Sequence, residues 1–485
     1  MKTINIVWLK RDLRLTDHEP LKIALEQPEP TLLLYLFEPM LLEEQHYSER
    51  HWRFVAQSIQ DLNSQLAPFD TQVLVLCDDA EATFKRLTKR FDIAGVYSHE
   101  EVGIDITFTR DKQVAKLLKD ANIPWIEMPM GAVIRAAQNR VTWDDDWQSV
   151  MRAPIAVPSM ASDRFMSTSE MEALNSFALP QQWLDKLKGF QTGGPTLAWR
   201  TLEDFFADRG RTYSKSISKP LASRTACSRL SPYLAWGNIS LREIYQYVLS
   251  QWNKPGYRRS LIALTSRLHW HCHFIQKFES ESSMEFEHLN RGYLDYPYSS
   301  DIQPKLNAWK KGETGIPMVD ACMRCLHHTG YINFRMRAML VSFLTHHLNI
   351  DWRYGVKHLA SLFLDFEPGI HYAQFQMQAG VAGINTTRIY NPVKQSQEHD
   401  SDGYFIKLWI PELAEVPVPL LFEPWKLTPM EAELYRLDSN SRFLNPIIEL
   451  DEAARAARDR LWGWKKKPQV QKDTFRILQK HVRQK

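Results

Sequence analysis

The chain has 485 residues, 44 % of them apolar and 24 % charged, and a net charge of +3. That length suits two or three globular domains of ordinary composition. So small a net charge excludes wholesale attraction to nucleic acid, and a polyanion would have to be met by a local basic face.

The first residues, MKTINIVWLKRDLR, hold too short an apolar run for a signal peptide, and no run of about 18 apolar residues follows. A cytoplasmic chain with no membrane segment is expected. Residues 1–130 alternate apolar runs (Ile4–Leu9, Thr31–Phe37, Gln72–Leu76, Ala94–Ser98, Pro124–Met128) with amphipathic stretches (Arg50–Leu66, Ala80–Phe91, Thr109–Ala121). This β-α-β-α pattern predicts a parallel, Rossmann-like sheet with helices on both faces. No G-x-G-x-x-G or G-x-x-x-x-G-K-[ST] accompanies it, so a standard dinucleotide or P-loop site is not expected. Lys10, Arg11, Asp12 and Arg14 follow the first strand, at the sheet end where ligands bind. A buried ion-pair network is favoured there over an anion site.

Residues 131–197 lose the pattern. Pro154, Pro158, Pro180, Gly193, Gly194 and Pro195 mark a long interdomain linker wrapping over the surface. From 198 to 485 the pattern is helical, predicting an all-α C-terminal domain. Its densest part, Gly315 to Trp425, sets Arg335, Arg337, Asp365, Glu367 and His371 among apolar residues, which suits a buried, partly charged ligand. Taken alone, Arg337 and Asp365 fit either such a ligand or a structural ion pair. Thr225 to Ser231 place hydroxyls and Arg229 before a helix that Pro232 can open; this fits a phosphate or a plain N-cap by Ser231. Cys322 and Cys325 form a C-x-x-C inside a helical pattern with no second pair, and are read as core. His269, His271 and His273 point to different faces of one helix, against a zinc site. Lys310, Lys311, Arg388 and Lys394 could track a phosphate backbone. The chain holds sixteen tryptophans, enough for a chain of indoles that relays single electrons if a redox cofactor is present.

Taken together, VWLKRDLRLTDHEPL, SRLSPYLAWGNIS, AWKKGETGIPMVDACMRCLHHTGY, FRMRAMLVSFL, NIDWRYG, LDFE, YNPVKQSQEHDSDGYFIKLWIPEL and EPW resemble the photolyase/cryptochrome family in order and spacing. The resemblance implies an N-terminal antenna-chromophore domain and a helical domain that buries FAD. It implies light-driven electron transfer from reduced FAD to a pyrimidine dimer in UV-damaged DNA, duplex or single-stranded, by a monomer. Under it, Tyr213, Thr225, Ser228, Arg229, Leu230 and Ser231 become the FAD cradle, with Cys227 at a usual hydroxyl. Arg337 and Asp365 become the ion pair beside the flavin ring, with Glu367 as a second acid. The antenna is folate, deazaflavin, another flavin or none.

The departures from the family pattern are specific. Arg267-Leu-His-Trp270-His271 stands where many cyclobutane-dimer enzymes carry E-L-x-W-R. Trp270 remains as the stacking platform, with His271 a substitute for the arginine. His371 stands at a usual Asn near flavin N5, Phe334 at another (with Asn333 beside it), and Met377 at a pocket Trp. Trp309 and Trp352 overlay the outer and middle electron-relay members, but Phe375 replaces the inner one, leaving Tyr372 or Trp409 as first donor. A repair enzyme for cyclobutane dimers is the first expectation, supported by Trp270 and the lack of a long C-terminal tail. A blue-light photoreceptor without repair, or a 6-4 photoproduct enzyme, is the alternative. No four-cysteine set for an iron–sulfur cluster is present.

Overall fold

The computed structural model describes residues 1–384 and 388–482. Residues 385–387, within the Gly- and Asn-rich part of the stretch noted above, and the C-terminal 483–485 lie outside it. Among the described residues, five strands form one parallel sheet. They are β1 (Thr3–Leu9), β2 (Thr31–Leu36), β3 (Val73–Leu76), β4 (Asp92–His99) and β5 (Trp125–Met128), ordered β3-β2-β1-β4-β5. Four helices cover it: α1 (Glu19–Glu26), α2 (Glu49–Leu66), α3 (Ala80–Arg90) and α4 (Asp105–Asp120).

Both faces of β1, β2 and β3 are largely buried, which is why these strands read as apolar runs, whereas the edge strand β5 is partly exposed. Ile4, Ile6 and Trp8 face Phe84 and Leu87 of α3 and Val114 and Leu118 of α4. Val7 and Leu9 share a second core with Leu21 of α1 and with Phe54 and Ile59 of α2. That second core continues without a break into the rest of the chain, through Tyr47, Trp236, Phe363 and Phe366.

The remainder is helical, as expected. The main helices are α5 (Trp143–Arg152), α6 (Pro195–Ala207), α7 (Leu241–Ser250), α8 (Arg258–Ser280), α9 (Gln303–Lys311), α10 (Pro317–Thr329), α11 (Phe334–Ser342), α12 (Arg353–Leu362), α13 (Pro368–Gln378), α14 (Pro392–His399), α15 (Leu450–Lys465) and α16 (Pro468–His481). Helix α8 packs along α13, and α11 runs into a π-helical turn at Phe343–His347. Cys322 and Cys325 are buried in α10, consistent with the core reading.

The expected surface linker needs correction. Residues 143–152 form α5, whose Trp143, Trp147 and Met151 are buried and face one way, four residues apart. This segment packs against α7 as part of the helical body. Helix α6 likewise begins at Pro195, inside the expected linker. Among the described residues, no helix is long and apolar enough to cross a membrane.

A clasp joins the end of β1 to the helical part. Leu13 N donates to Trp236 O (3.2 Å), Arg11 Nε to Ala235 O (3.0 Å) and Arg14 Nη1 to Gly237 O (3.2 Å). Gly237 has φ +68°, and a Cβ there would run into the Arg11 carbonyl. Gly237→Ala should therefore lower the unfolding free energy by roughly 1–3 kcal/mol from backbone strain, before the clash is added. An unchanged denaturant midpoint would contradict this reading of the clasp.

Candidate functional site

Arg337 projects from α11, and Asp365 lies on the short connection between α12 and α13. Arg337 Nη2 donates to Asp365 Oδ1 at 2.7 Å, and the guanidinium lies 3.6 Å over the Phe363 ring. Burial alone would raise the Asp365 carboxyl, but Arg337, the Ser231 hydroxyl and Arg229 hold it below the ordinary value. Ser231 and Asp365, far apart in sequence, are thus brought to one spot.

Ser231 is the first residue of a single turn, Ser231–Ala235, whose cap position is Leu230, without a side-chain cap hydrogen bond. Of the two readings of Ser231, the plain N-cap is not formed, since the cap position falls on Leu230. The preceding loop is pinned by Arg209, which sequence reasoning missed. Its guanidinium donates to the carbonyls of Thr225 (3.3 Å), Ser228 (3.1 Å) and Thr201 (2.8 Å), and also to that of Cys227. Arg209 stood in an unremarkable polar segment, so only the three-dimensional arrangement reveals it. Arg229 has φ +61°, lies 3.4 Å over Tyr331, and buries an Nη1 group that has no hydrogen-bond partner. A buried guanidinium with an orphan donor is costly unless an anion meets it. The residues around it therefore fit a bound phosphate of the FAD type. Tyr213 is buried near Cys227 and Arg267, Leu230 is buried, Ser228 is half-buried and Thr225 is exposed.

His371 lies in α13, buried, and lines one small cavity with Arg337, Phe375 and Phe334. Its Nε2–H donates to Val356 O at 2.9 Å, so the neutral ring keeps its lone pair on Nδ1. Burial, with Arg337 nearby, pulls its pKa down to about 3, so it is a hydrogen-bond acceptor at neutral pH rather than an acid. Asn333, beside Phe334, buries a side-chain oxygen that has no partner.

Glu367 is drawn elsewhere. It lies 3.4 Å from Arg11 and lines a second cavity, of about 290 Å³, between the carboxyl ends of the strands and the helices. Arg14, Glu101, Arg242 and His271 line it too. The expected ion-pair network is present here: Lys10 meets Asp111 at 3.2 Å, and Asp12 accepts from His99 Nδ1 at 2.7 Å. His271 lines this cavity near Arg11, while Trp270, its neighbour on α8, is 45 % exposed and packs on Phe274. Arg267 and Lys394 are exposed, and Met377 is half-buried.

Among the aromatics, Trp352 is fully buried and contacts Phe375 (6.4 Å between ring centroids) and Tyr372 (6.1 Å). Trp309 is also fully buried, held by Leu340 O (3.2 Å), and so lacks the surface position expected of an outer member. Trp352 donates its indole N–H to His288 Nδ1 at 2.8 Å, and His288 stacks on half-buried Tyr298. Trp409 stacks on His328.

Two family models match the chain: the FAD binding domain of DNA photolyase over residues 264–463, and DNA photolyase over residues 5–146. The chain is 27 % identical over 478 residues to cryptochrome DASH of Gloeobacter violaceus, covering 94 % of this chain and 95 % of that one. It is 26 % identical over 467 residues to a deoxyribodipyrimidine photo-lyase of Alkalihalophilus pseudofirmus, covering 92 % and 95 %. Its fold is similar to a Synechocystis cryptochrome (TM-score 0.83, 24 % identity, 95 % and 99 % covered). It is also similar to a bacterial class III photolyase from Agrobacterium tumefaciens (TM-score 0.82, 22 % identity, 96 % and 98 % covered).

Proposed function

Because this chain belongs to the DNA photolyase and cryptochrome family, we propose that it is a light-driven repair enzyme that splits cyclobutane pyrimidine dimers in UV-damaged DNA. The observation that carries this reading is the joining of Arg229, Ser231, Asp365 and Arg337, all half-buried, with buried His371 into one polar site. FAD, when bound, supplies the one-electron chemistry. Arg229 and the Ser228–Ser231 loop would hold its phosphates. Arg337 would hold negative charge at the ring, and Asp365 would keep that cation oriented. The His371 Nδ1 lone pair can accept a hydrogen bond at the ring edge, so this residue steadies a protonated nitrogen instead of donating to one.

Trp270 is the residue proposed to stack on the flipped lesion, a step cheaper in distorted or single-stranded DNA. Trp270→Ala should weaken binding to dimer-containing oligonucleotide by roughly 1–3 kcal/mol. An undiminished affinity would remove Trp270 from the lesion contact. Arg267 and Lys394 are proposed rim contacts to phosphate, so affinity should fall as salt rises. The cavity of about 290 Å³ beyond the strand ends suits a second, light-gathering chromophore of pterin or flavin type.

A second reading is a blue-light photoreceptor without repair. Arg267 at the position of a lesion-binding glutamate, and Phe375 in place of an inner indole, favour it. Light-dependent loss of dimers from DNA separates the two readings.

A further inference from the structure

Tyr372 and His46 are 326 residues apart in sequence, yet the Tyr372 hydroxyl and His46 Nε2 are 2.6 Å apart, both side chains buried. On its other side, His46 Nδ1 lies 2.8 Å from Glu44 Oε1, and Lys357 Nζ holds that same oxygen at 3.1 Å. A carboxylate accepts only, so Nδ1 carries the imidazole proton and Nε2 presents its lone pair to the phenol. Burial keeps His46 neutral at ordinary pH. A buried tyrosine hydroxyl needs only a hydrogen-bond acceptor, and any backbone carbonyl would serve. Here the acceptor is a base, and a carboxylate stands behind it to stabilise the imidazolium that protonation would form.

This phenol lies inside the aromatic cluster. Tyr372 meets Trp352 edge to face at 6.1 Å and stacks on Phe278 at 5.6 Å. Phe375, the other ring of α13 against Trp352, has no ionisable hydrogen to give up. Trp352 has a proton acceptor of its own in His288, but the far nitrogen of that ring has no hydrogen-bond partner, whereas His46 is backed by Glu44. An oxidised phenol is a strong acid, so a tyrosine gives up an electron readily only where a base stands within hydrogen-bond reach.

We propose that Tyr372 is a light-driven electron donor of this protein, with His46 as the acceptor of its phenolic proton and Glu44 as the residue that positions that histidine. The inference rests on the flavin-binding reading above, which supplies the oxidant: light-excited, oxidised flavin. One electron passes from the Trp352–Tyr372 pair to that oxidant. The Tyr372 O–H bond breaks and an N–H bond forms at His46 Nε2. The products on this chain are a neutral tyrosyl radical and an imidazolium facing the Glu44 carboxylate; recombination reverses both transfers.

The test is flash absorption on the flavin-loaded protein, in H₂O and D₂O, after its flavin content has been measured. The wild type should show the narrow band of a neutral tyrosyl radical, forming more slowly in D₂O. Tyr372→Phe should lose that band and leave the oxidised indole of Trp352. His46→Gln, which keeps a hydrogen-bonding side chain but no base, should retain flavin and lower the tyrosyl yield at least about tenfold. A flavin-loaded wild type without the tyrosyl band, or equal tyrosyl yields in wild type and His46→Gln, would overturn the inference alone. A protein that takes up no flavin would overturn the functional reading, and the inference with it.

Discussion

Asp365→Asn should leave a folded protein that purifies with little or no flavin. The change is nearly isosteric, but it removes the carboxylate charge that meets the Arg337 guanidinium at 2.7 Å. Arg337 is largely buried, and stranding such a cation costs on the order of 3–5 kcal/mol. In the free protein that cost is relieved by letting the side chain swing out or water enter. Either response removes the oriented cation that negative charge on the ring would meet. It also loosens Ser231 and Arg229, which share the Asp365 carboxylate. An affinity loss of 3 kcal/mol is more than a hundredfold, and the ratio of flavin to protein absorbance reads it directly. Flavin retained at the wild-type ratio would reduce Arg337–Asp365 to a structural ion pair.

Trp352→Phe should slow photoreduction of the bound flavin about tenfold or more while leaving flavin content unchanged. Trp352 is the only indole in ring contact with both Tyr372 and Phe375 among the described residues. It also bridges to His288 and, through it, to Tyr298 near the surface. Phe fills most of the same volume, so packing survives, but it offers no accessible oxidised state. Trp352 lines neither the Arg337–Asp365 pair nor the loop at Arg229, so a fall in flavin content would point to disrupted packing. Photoreduction at the wild-type rate would show that electrons reach the flavin without this residue. Trp309→Phe is the informative companion: fully buried and against Leu340 O, it should have the smaller effect.

The sheet was legible because β1, β2 and β3, buried on both faces, leave apolar runs, and each run named in the sequence, the partly exposed β5 included, became a strand of the parallel sheet. Helix α5 was not read, although Trp143, Trp147 and Met151 carry its periodicity; prolines and glycines on either side outweighed three apolar residues. In the site, Arg337 and Asp365 could be paired because charges in apolar surroundings need partners. Glu367 could not be placed, since two residues along the chain from Asp365 the backbone turns it to Arg11 on the other domain. Nor does the motif overlay say which way His271 faces relative to Trp270, since adjacent residues on a helix face about 100° apart; His271 lines the cavity near Arg11. Arg209 and His46 act through contacts with carbonyls and side chains distant in sequence, which leave no local pattern at all.

Light-driven repair can be measured directly. The direct measurement mixes the chemically reduced, flavin-loaded protein with a thymine-dimer oligonucleotide, single- or double-stranded, and follows thymine absorbance under blue light. Recovery of that absorbance in light but not in darkness is the predicted result. No recovery on either substrate, with flavin bound and reduced, would contradict the account and favour the photoreceptor.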